Sequence, residues 1–145
     1  MRALFELILD VIPAERGAMV LTEDTGGSLP PLLAWNKDQG SPSLHICKQM
    51  TDRVLREGLA LSSNAVVSQN DAAPRSVMAA PLIVFDRALG FVYLETTKSD
   101  IFDAGHLHML VIIAAIAATV LENARHLQRL EKAAGRSESA ACDGR

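Results

Sequence analysis

Apolar residues fill the stretch from Arg75 to Glu95, which reads RSVMAAPLIVFDRALGFVYLE. Two apolar runs that flank a tight polar corner at Asp86-Arg87 predict a β-hairpin. In the second run Phe91 and Tyr93 point to one face of the strand, and the aliphatic residues beside them point to the other. Because both faces are apolar, we expect a sheet that is covered on both sides by helices, a ligand or a partner.

Two residues of this hairpin constrain its backbone. Pro81 has no N–H to donate to a sheet ladder, so it should lie at a bulge or on an unpaired edge. Gly90 allows a neighbouring backbone or a ligand to approach closely, or it relaxes a twist in the strand.

The remaining segments predict three helices and three further strands. Helices are predicted at residues 2–12, at 43–58 with Ser43 as N-cap, and from the N-cap Asp103 to about Lys132; strands are predicted at 17–22, 29–36 and 59–63. This order predicts an α/β (α+β) fold, a three-layer α/β/α domain with a mostly antiparallel five- to six-stranded sheet. Residues 1–134 are expected to form this one domain and residues 135–145 a flexible polar tail.

The order of these segments resembles the GAF domain family, a group of small sensory and dimerisation modules of signalling proteins. The resemblance runs from about Pro13 to about Leu130. It rests on the Arg-Ser, Pro-Leu and Leu-Gly-Phe-Val-Tyr-Leu-Glu pattern of the hairpin, together with residues 14–24, 43–58 and 102–125. The chain particularly resembles GAF domains of bacterial transcription activators and of forkhead-associated-domain signalling proteins. The resemblance implies the same three-layer architecture.

Composition and charge argue against several functional classes. The 145-residue chain has a net charge of −3 and scattered basic residues, so we do not expect direct binding to nucleic acid. Two cysteines cannot make a disulfide framework, which fits a reducing cytoplasm. The longest apolar run, Met109 to Leu121, has 13 residues. Because a membrane span needs roughly 17–25 residues, we expect a buried helix and no membrane partner.

The long closing helix carries two apolar stripes. One is a heptad seam that consists of Met109, Ile113, Ile116, Val120, Asn123, Leu127 and Leu130, and the other consists of Leu107, Leu110, Ala114, Ala117, Leu121 and Ala124. One stripe must cover the sheet, and the other needs a partner, either the N-terminal helix or the same helix of a second subunit. Asn123 either fixes the register of a coiled coil or faces solvent. The GAF resemblance implies a parallel homodimer whose closing helices lead into an output domain.

Few residues suggest chemistry. His45, Cys47, Lys48 and Arg53 cluster on the middle helix, but His45 and Cys47 are two residues apart and do not share a helical face. A metal site is therefore not expected. One GAF lineage reduces free methionine sulfoxide with several pocket cysteines, whereas Cys47 lacks a resolving thiol nearby. We expect a non-enzyme without a cofactor, in which Cys47 is a small buried hydrophobe.

The resemblance also implies a ligand pocket between the sheet and the middle helix. The positions that match it are Trp35, His45, Cys47, Met50, Arg75, Met78 and Tyr93. Arg75 either pairs with an anionic ligand or caps its loop. Met50 and Met78, beside the alanine pair 79–80, either leave a cavity or fill the core.

Three functions are open at this point. The leading hypothesis is a cytoplasmic input domain of a bacterial signalling protein or transcriptional regulator. It would be a homodimer that passes a small-molecule or conformational signal through its C-terminal helix to an output domain, on a longer chain or on a partner protein. The second is a ligand-free interaction and dimerisation module, favoured by a segment at 64–75 that is shorter than in related domains. The third is a redox enzyme or thiol sensor built on Cys47.

Overall fold

A computed structural model describes residues 2–22, 33–36, 48–66, 75–98 and 100–143 of the chain. The helices and strands follow the predicted order. Their bounds are α1 Arg2–Val11, β1 Arg16–Leu21, β2 Leu33–Asn36, α2 Lys48–Glu57, β3 Leu61–Val66, β4 Arg75–Val84, β5 Arg87–Thr96 and α3 Ala104–Asp143.

The five strands form one sheet in the order β2-β1-β5-β4-β3, and each neighbouring pair is antiparallel. Helices α1 and α3 pack on one face of this sheet and α2 packs on the other. The predicted three-layer α/β/α architecture is thus confirmed. The central strand β5 explains it, because its apolar residues alternate between the two layers.

The side chains of β5 separate two cores. Val92 and Leu94 belong to the cluster that α1 and α3 cover, whereas Phe91 and Tyr93 belong to the cluster under α2. Tyr93 is among the largest fully buried side chains of the described residues. The prediction that both faces of this strand are covered is therefore confirmed, and the covering elements are helices.

The hairpin between β4 and β5 turns at Phe85 and Asp86, one residue earlier than predicted, so that Arg87 is the first residue of β5. Phe85 and Asp86 both have positive φ angles, 51° and 62°. Two such residues in a two-residue loop make a type I′ turn, whose twist matches that of the strands it joins. Pro81 lies beyond Ala79, the last residue of β4 that pairs with β3 in the described register. Pro81 is paired with Phe91 on β5, so only the side of β4 that faces β3 is unpaired there, which matches one of the two positions expected for it.

Helix α3 begins as predicted, with Asp103 as its N-cap. The backbone N–H of His106 donates to Asp103 Oδ1 at 2.8 Å, and the backbone N–H of Asp103 donates to His106 Nδ1 at 3.2 Å. The two residues thus satisfy each other's backbone donors in the manner of a capping box. Leu110, Ala114, Ala117 and Ala118 then bury one side of the helix in the core.

The ends of helix α3 and strand β3 differ from the prediction. Helix α3 continues to Asp143 rather than to about Lys132, so the backbone of residues 135–143, predicted as a flexible tail, is helical. Alanines on both sides of Gly135 favour helix, and no proline follows Asp103 to stop it. Strand β3 runs to Val66 instead of Ser63. The predicted N-cap Ser43 lies outside the described residues.

Residues 104–135 of α3 are long and apolar enough to cross a membrane when length and composition alone are considered. Core packing accounts for part of this apolarity, because 33% of the most apolar window is buried, and Leu110, Ala114 and Ala117 cover one face of the sheet. A core helix of a soluble domain has the same length and composition, so the membrane argument is weak.

Candidate functional site

The surface of the sheet that packs against α2, here called the α2 face, brings together apolar and charged side chains. Its strand residues are Arg16, Ala18, Val20, Val77, Ala79, Phe91, Tyr93 and Glu95, which follow the alternation of β1, β4 and β5. From α2, the buried residues Thr51 and Val54 face this surface, and Met50 packs against its apolar part.

Tyr93 forms the centre of the α2 face. Its register partners are Ala18 on β1 and Ala79 on β4, so the largest side chain of the surface lies between two of the smallest. An aromatic ring flanked by alanines makes a shallow apolar floor, and α2 packs on this floor. Val54 of α2 is fully buried over this cluster.

An ion pair closes one end of the α2 face. Arg16 and Glu95 are direct register partners on β1 and β5, and Arg16 Nη1 lies 3.4 Å from Glu95 Oε1. The Glu95 side chain is 3% exposed and that of Arg16 is 26% exposed. A buried carboxylate is costly unless a charge or hydrogen bonds compensate it, so Glu95 depends on the polar groups around it. The surface thus combines an apolar floor with a charged rim.

The structure divides the predicted pocket residues between the two faces of the sheet. Met50 and Tyr93 lie on the α2 face as expected. Trp35 and Met78 pack instead with the cluster under α1 and α3. Strand alternation explains this, because Met78 pairs with Leu94 and Trp35 with Gly17, both of which alternate with residues of the α2 face.

The other predicted pocket residues cannot be placed in the same way. His45 and Cys47 lie outside the described residues. Arg75 is the first residue of β4 and pairs with Val66, but its side chain is outside the description. Their contact with a ligand stays a prediction.

Sequence reasoning did not single out Arg16 and Glu95. The sequence did contain one signal for Glu95, which is a carboxylate in a strand that is otherwise apolar on both faces. Because Glu95 follows Tyr93 by two residues, alternation places both side chains on the same face of the sheet. Its partner could not be identified, because residues 16 and 95 meet through the pairing of strands 79 residues apart.

A concave region lies on the other side of the sheet, where α1 ends and α3 begins. It is a cleft of about 390 Å³ that is lined by Asp10, Pro13, Ala14, Glu15, Trp35, Thr96, Lys98 and Ile101. The Glu15 carboxylate accepts hydrogen bonds from the backbone N–H of Thr97 at 3.2 Å and from its hydroxyl at 2.9 Å. Partial burial raises the pKa of Glu15, but the hydrogen bonds from Thr97 and Thr96 and the charge of Lys98 outweigh burial and leave this pKa below its usual value.

The residues of the predicted heptad seam of α3 are divided between the core and the exposed surface of the helix. Ile113 is buried in the domain's own core and Met109 packs against it. The seam residues Ile116, Val120, Asn123, Leu127 and Leu130 are exposed. With Ile112, the large apolar members of this group form what we call the exposed α3 stripe, which is Ile112, Ile116, Val120, Leu127 and Leu130.

The described residues include histidines and carboxylates, which are the side chains that could hold a metal ion. Among them, no three His, Cys, Asp or Glu side chains come together in a group that could hold a metal ion. His106 is engaged in the cap of α3 and stacks edge-on against Phe102, with 6.4 Å between ring centroids.

Solved structures of similar fold include several GAF domains. The third GAF domain of Slr1393 from Synechocystis sp. PCC6803, in its photoproduct state, has a TM-score of 0.72 and is 13% identical, over 89% of this chain and 95% of that one. The second GAF domain of DevS from Mycobacterium smegmatis has a TM-score of 0.64 and is 16% identical, over 89% and 98%. A type II free methionine-R-sulfoxide reductase from Thermoplasma acidophilum has a TM-score of 0.64 and is 12% identical, over 81% and 86%.

At these identities the structural likeness establishes the fold alone. No curated protein is significantly similar to the chain in sequence. The model of the GAF domain family, however, matches residues 1–123, which is most of the chain and includes both faces of the sheet. Together with the antiparallel five-stranded sheet between helical layers, this match shows that the chain belongs to the GAF domain family.

Proposed function

We propose that this GAF domain is the cytoplasmic input domain of a bacterial signalling protein or transcriptional regulator. It acts as a homodimer whose α3 helices pair in parallel and carry a signal to an output domain. It is not an enzyme. The observation that carries this proposal is the exposed α3 stripe, because a 40-residue helix with a continuous apolar surface needs a second surface to cover it.

A second copy of the same helix fits this stripe best. From Ile116 onward the exposed residues recur at steps of four and three, with Asn123 between Val120 and Leu127, which is the spacing of a two-stranded coiled coil. Leu127 and Leu130 lie on the part of α3 where the described side chains, from Asn123 to Gly135, are exposed apart from the half-buried Arg125. The described part of the domain therefore has no surface that covers them, and an identical helix provides a matching one.

The α2 face supplies the input site in this proposal. Once α2 moves aside, its apolar floor around Tyr93, which α2 otherwise covers, would take the apolar part of a small molecule. The Arg16–Glu95 pair at its end suits the polar part. A ligand that binds there would act on β1 and β5, the strands that connect directly to α1 and α3.

A ligand-free interaction module remains the second candidate. The close packing of α2 favours it, because Val54 is fully buried and Tyr93 is 1% exposed, so helix already covers this part of the floor. In that case the same fold would present its α3 helices as a dimerisation device only. A redox enzyme or thiol sensor at Cys47 has no support from the described residues.

Native mass spectrometry of the protein as purified from cells separates these candidates. Twice the 15.6 kDa chain mass together with an additional small-molecule mass supports a dimeric sensor. A dimer without additional mass supports the interaction module. A monomer contradicts both.

A pair of matched variants tests the α3 interface itself. Leu127→Glu places a charge in the exposed α3 stripe and should convert the dimer into a monomer. Gln128→Glu adds the same charge one residue away, off the stripe, and should leave the dimer mass unchanged. If both variants stay dimeric, the stripe is not the interface.

A further inference from the structure

Glu15 connects the end of α1 to the segment that leads into α3. It lies in the turn between α1 and β1, and its backbone N–H donates to the carbonyl of Glu95 at 3.0 Å. Its carboxylate accepts from the backbone N–H of Thr97 at 3.2 Å and from the Thr97 hydroxyl at 3.1 and 2.9 Å. A single side chain therefore joins two segments that are 82 residues apart in sequence and that adjoin the two helices of one layer.

The ion pair of the α2 face lies directly beside this connection. Arg16 follows Glu15 and Glu95 precedes the Thr96-Thr97 segment, so the two contacts are adjacent along both strands. They point to opposite sides of the sheet, because Glu15 lines the cleft with Trp35 and Ile101, which pack in the α1 and α3 layer. A displacement of either strand end thus changes both contacts together.

The cleft separates the exposed residues at the end of α1 from the segment before α3. Its lining includes Asp10, Pro13 and Ala14 at the end of α1 and Ile101 just before α3. Because of this space of about 390 Å³, the exposed residues Asp10 and Pro13 do not pack closely against Ile101, although Ile12 beside them is buried in the core. The hydrogen bonds of Glu15 are consequently the main described polar restraint across the cleft.

We propose that Glu15 and Thr97 form a latch between α1 and α3, and that the Arg16–Glu95 pair on the opposite face of the sheet sets this latch. A ligand or a partner that competes for Arg16 or Glu95 shifts the ends of β1 and β5. The latch then loosens and α1 separates from the start of α3. The consequence for signalling rests on the proposed function, whereas the latch itself does not.

Hydrogen–deuterium exchange of the full chain tests the latch. In Glu15→Ala, the amides of α1 and of residues 97–110 should exchange about three- to tenfold faster, since charge-assisted hydrogen bonds are lost. The amides of β4 serve as the internal reference and should not change by the same factor. Glu57→Ala removes a carboxylate that forms a surface pair with Arg53 on α2 and should leave α1 unchanged. Equal acceleration in β4 would mean general destabilisation and would overturn the proposal.

Thr97 offers a second test that keeps the fold intact, because its side chain is exposed. Thr97→Val removes the hydroxyl and should accelerate exchange in α1, whereas Thr97→Ser keeps the hydroxyl and should restore the parent rate. If Thr97→Val and Thr97→Ser exchange alike, the hydroxyl contact does not hold the latch.

The link between the two faces is tested with Arg16→Met, which removes the charged guanidinium group and keeps an unbranched apolar stem. Arg16→Met should accelerate exchange in α1, and it should add little in a Glu15→Ala background because the latch is already open. If the two substitutions act independently, their fold-changes in exchange rate should multiply in the double variant. That result would show that the ion pair does not control the latch. The same exchange measurements in a Leu127→Glu background separate this result from the dimer proposal. Because the latch lies within one chain, its effects should persist in this variant.

Discussion

A Cβ atom placed on Gly90 would overlap the carbonyl oxygen of Val20 and would lie 2.8 Å from the Cα of Leu21. Gly90 pairs with Leu21 where β5 meets the end of β1. Of the roles that the sequence allowed for this glycine, the close approach of a neighbouring backbone is the one that the structure confirms. Backbone atoms cannot rotate away as a flexible side chain can, so the two strands need a residue without a Cβ here.

Gly90→Ala should therefore destabilise the domain. We expect the free energy of unfolding to fall by about 1–3 kcal/mol, the usual cost of forcing an extra carbon into a packed region. Urea denaturation followed by circular dichroism measures this change. Gly135→Ala is the control, because no atom lies within 4 Å of an added Cβ there and alanine favours helix by up to about 1 kcal/mol. A Gly90→Ala protein as stable as its parent would show that β1 and β5 are further apart.

The turn residue Phe85 should be replaceable with a gain in stability. Its φ of 51° is unfavourable for a bulky residue, and its side chain is 92% exposed, so it contributes little burial in return. Phe85→Asn with Asp86→Gly installs the preferred type I′ pair and should raise the free energy of unfolding by about 1 kcal/mol.

Phe85→Val provides the opposite control for the same turn. Valine keeps an apolar side chain, but its β-branch disfavours positive φ, so this variant should be less stable than the parent in the same denaturation assay. A loss of stability in Phe85→Asn would instead show that the aromatic ring makes a stabilising contact.

The Glu15 latch predicts a specific dependence of stability on pH. The folded state holds the pKa of Glu15 below its unfolded value, so the folded protein binds fewer protons between the two values. The contribution of Glu15 is complete above the unfolded pKa and is lost as the pH falls through the folded pKa. Thermal unfolding of the parent and of Glu15→Gln should thus differ most near neutral pH and converge in acid. A difference that stays constant from neutral to acid pH would exclude an ionised latch.

The sequence predicted those features that depend on neighbours along the chain. Alternation in β5 placed Phe91 and Tyr93 on one face, and local side-chain chemistry identified Asp103 as the cap of α3. Both follow from repeats and hydrogen bonds within a few residues. The fold class followed from the order of such segments.

Features that depend on distant contacts were not predictable in this way. Both stripes of α3 are apolar, and only the packing shows that Ala114, Ala117 and Ala118 face the core, where small side chains let helix and sheet approach. Ile113, predicted as part of the free seam, is buried for the same reason. The Arg16–Glu95 pair depends on the register between β1 and β5, which no local pattern specifies.

Disulfide cross-linking through α3 tests the central claim most directly, that two copies of this helix pair in parallel. In a background with Cys47→Ser and Cys142→Ser, Leu127→Cys should form a covalent dimer rapidly under mild oxidation, because residue 127 would face its own copy across the seam. Arg129→Cys is the matched control, since it lies on another side of the same exposed helix turn and should cross-link slowly. Slow or equal cross-linking of the two variants would contradict a parallel α3 dimer.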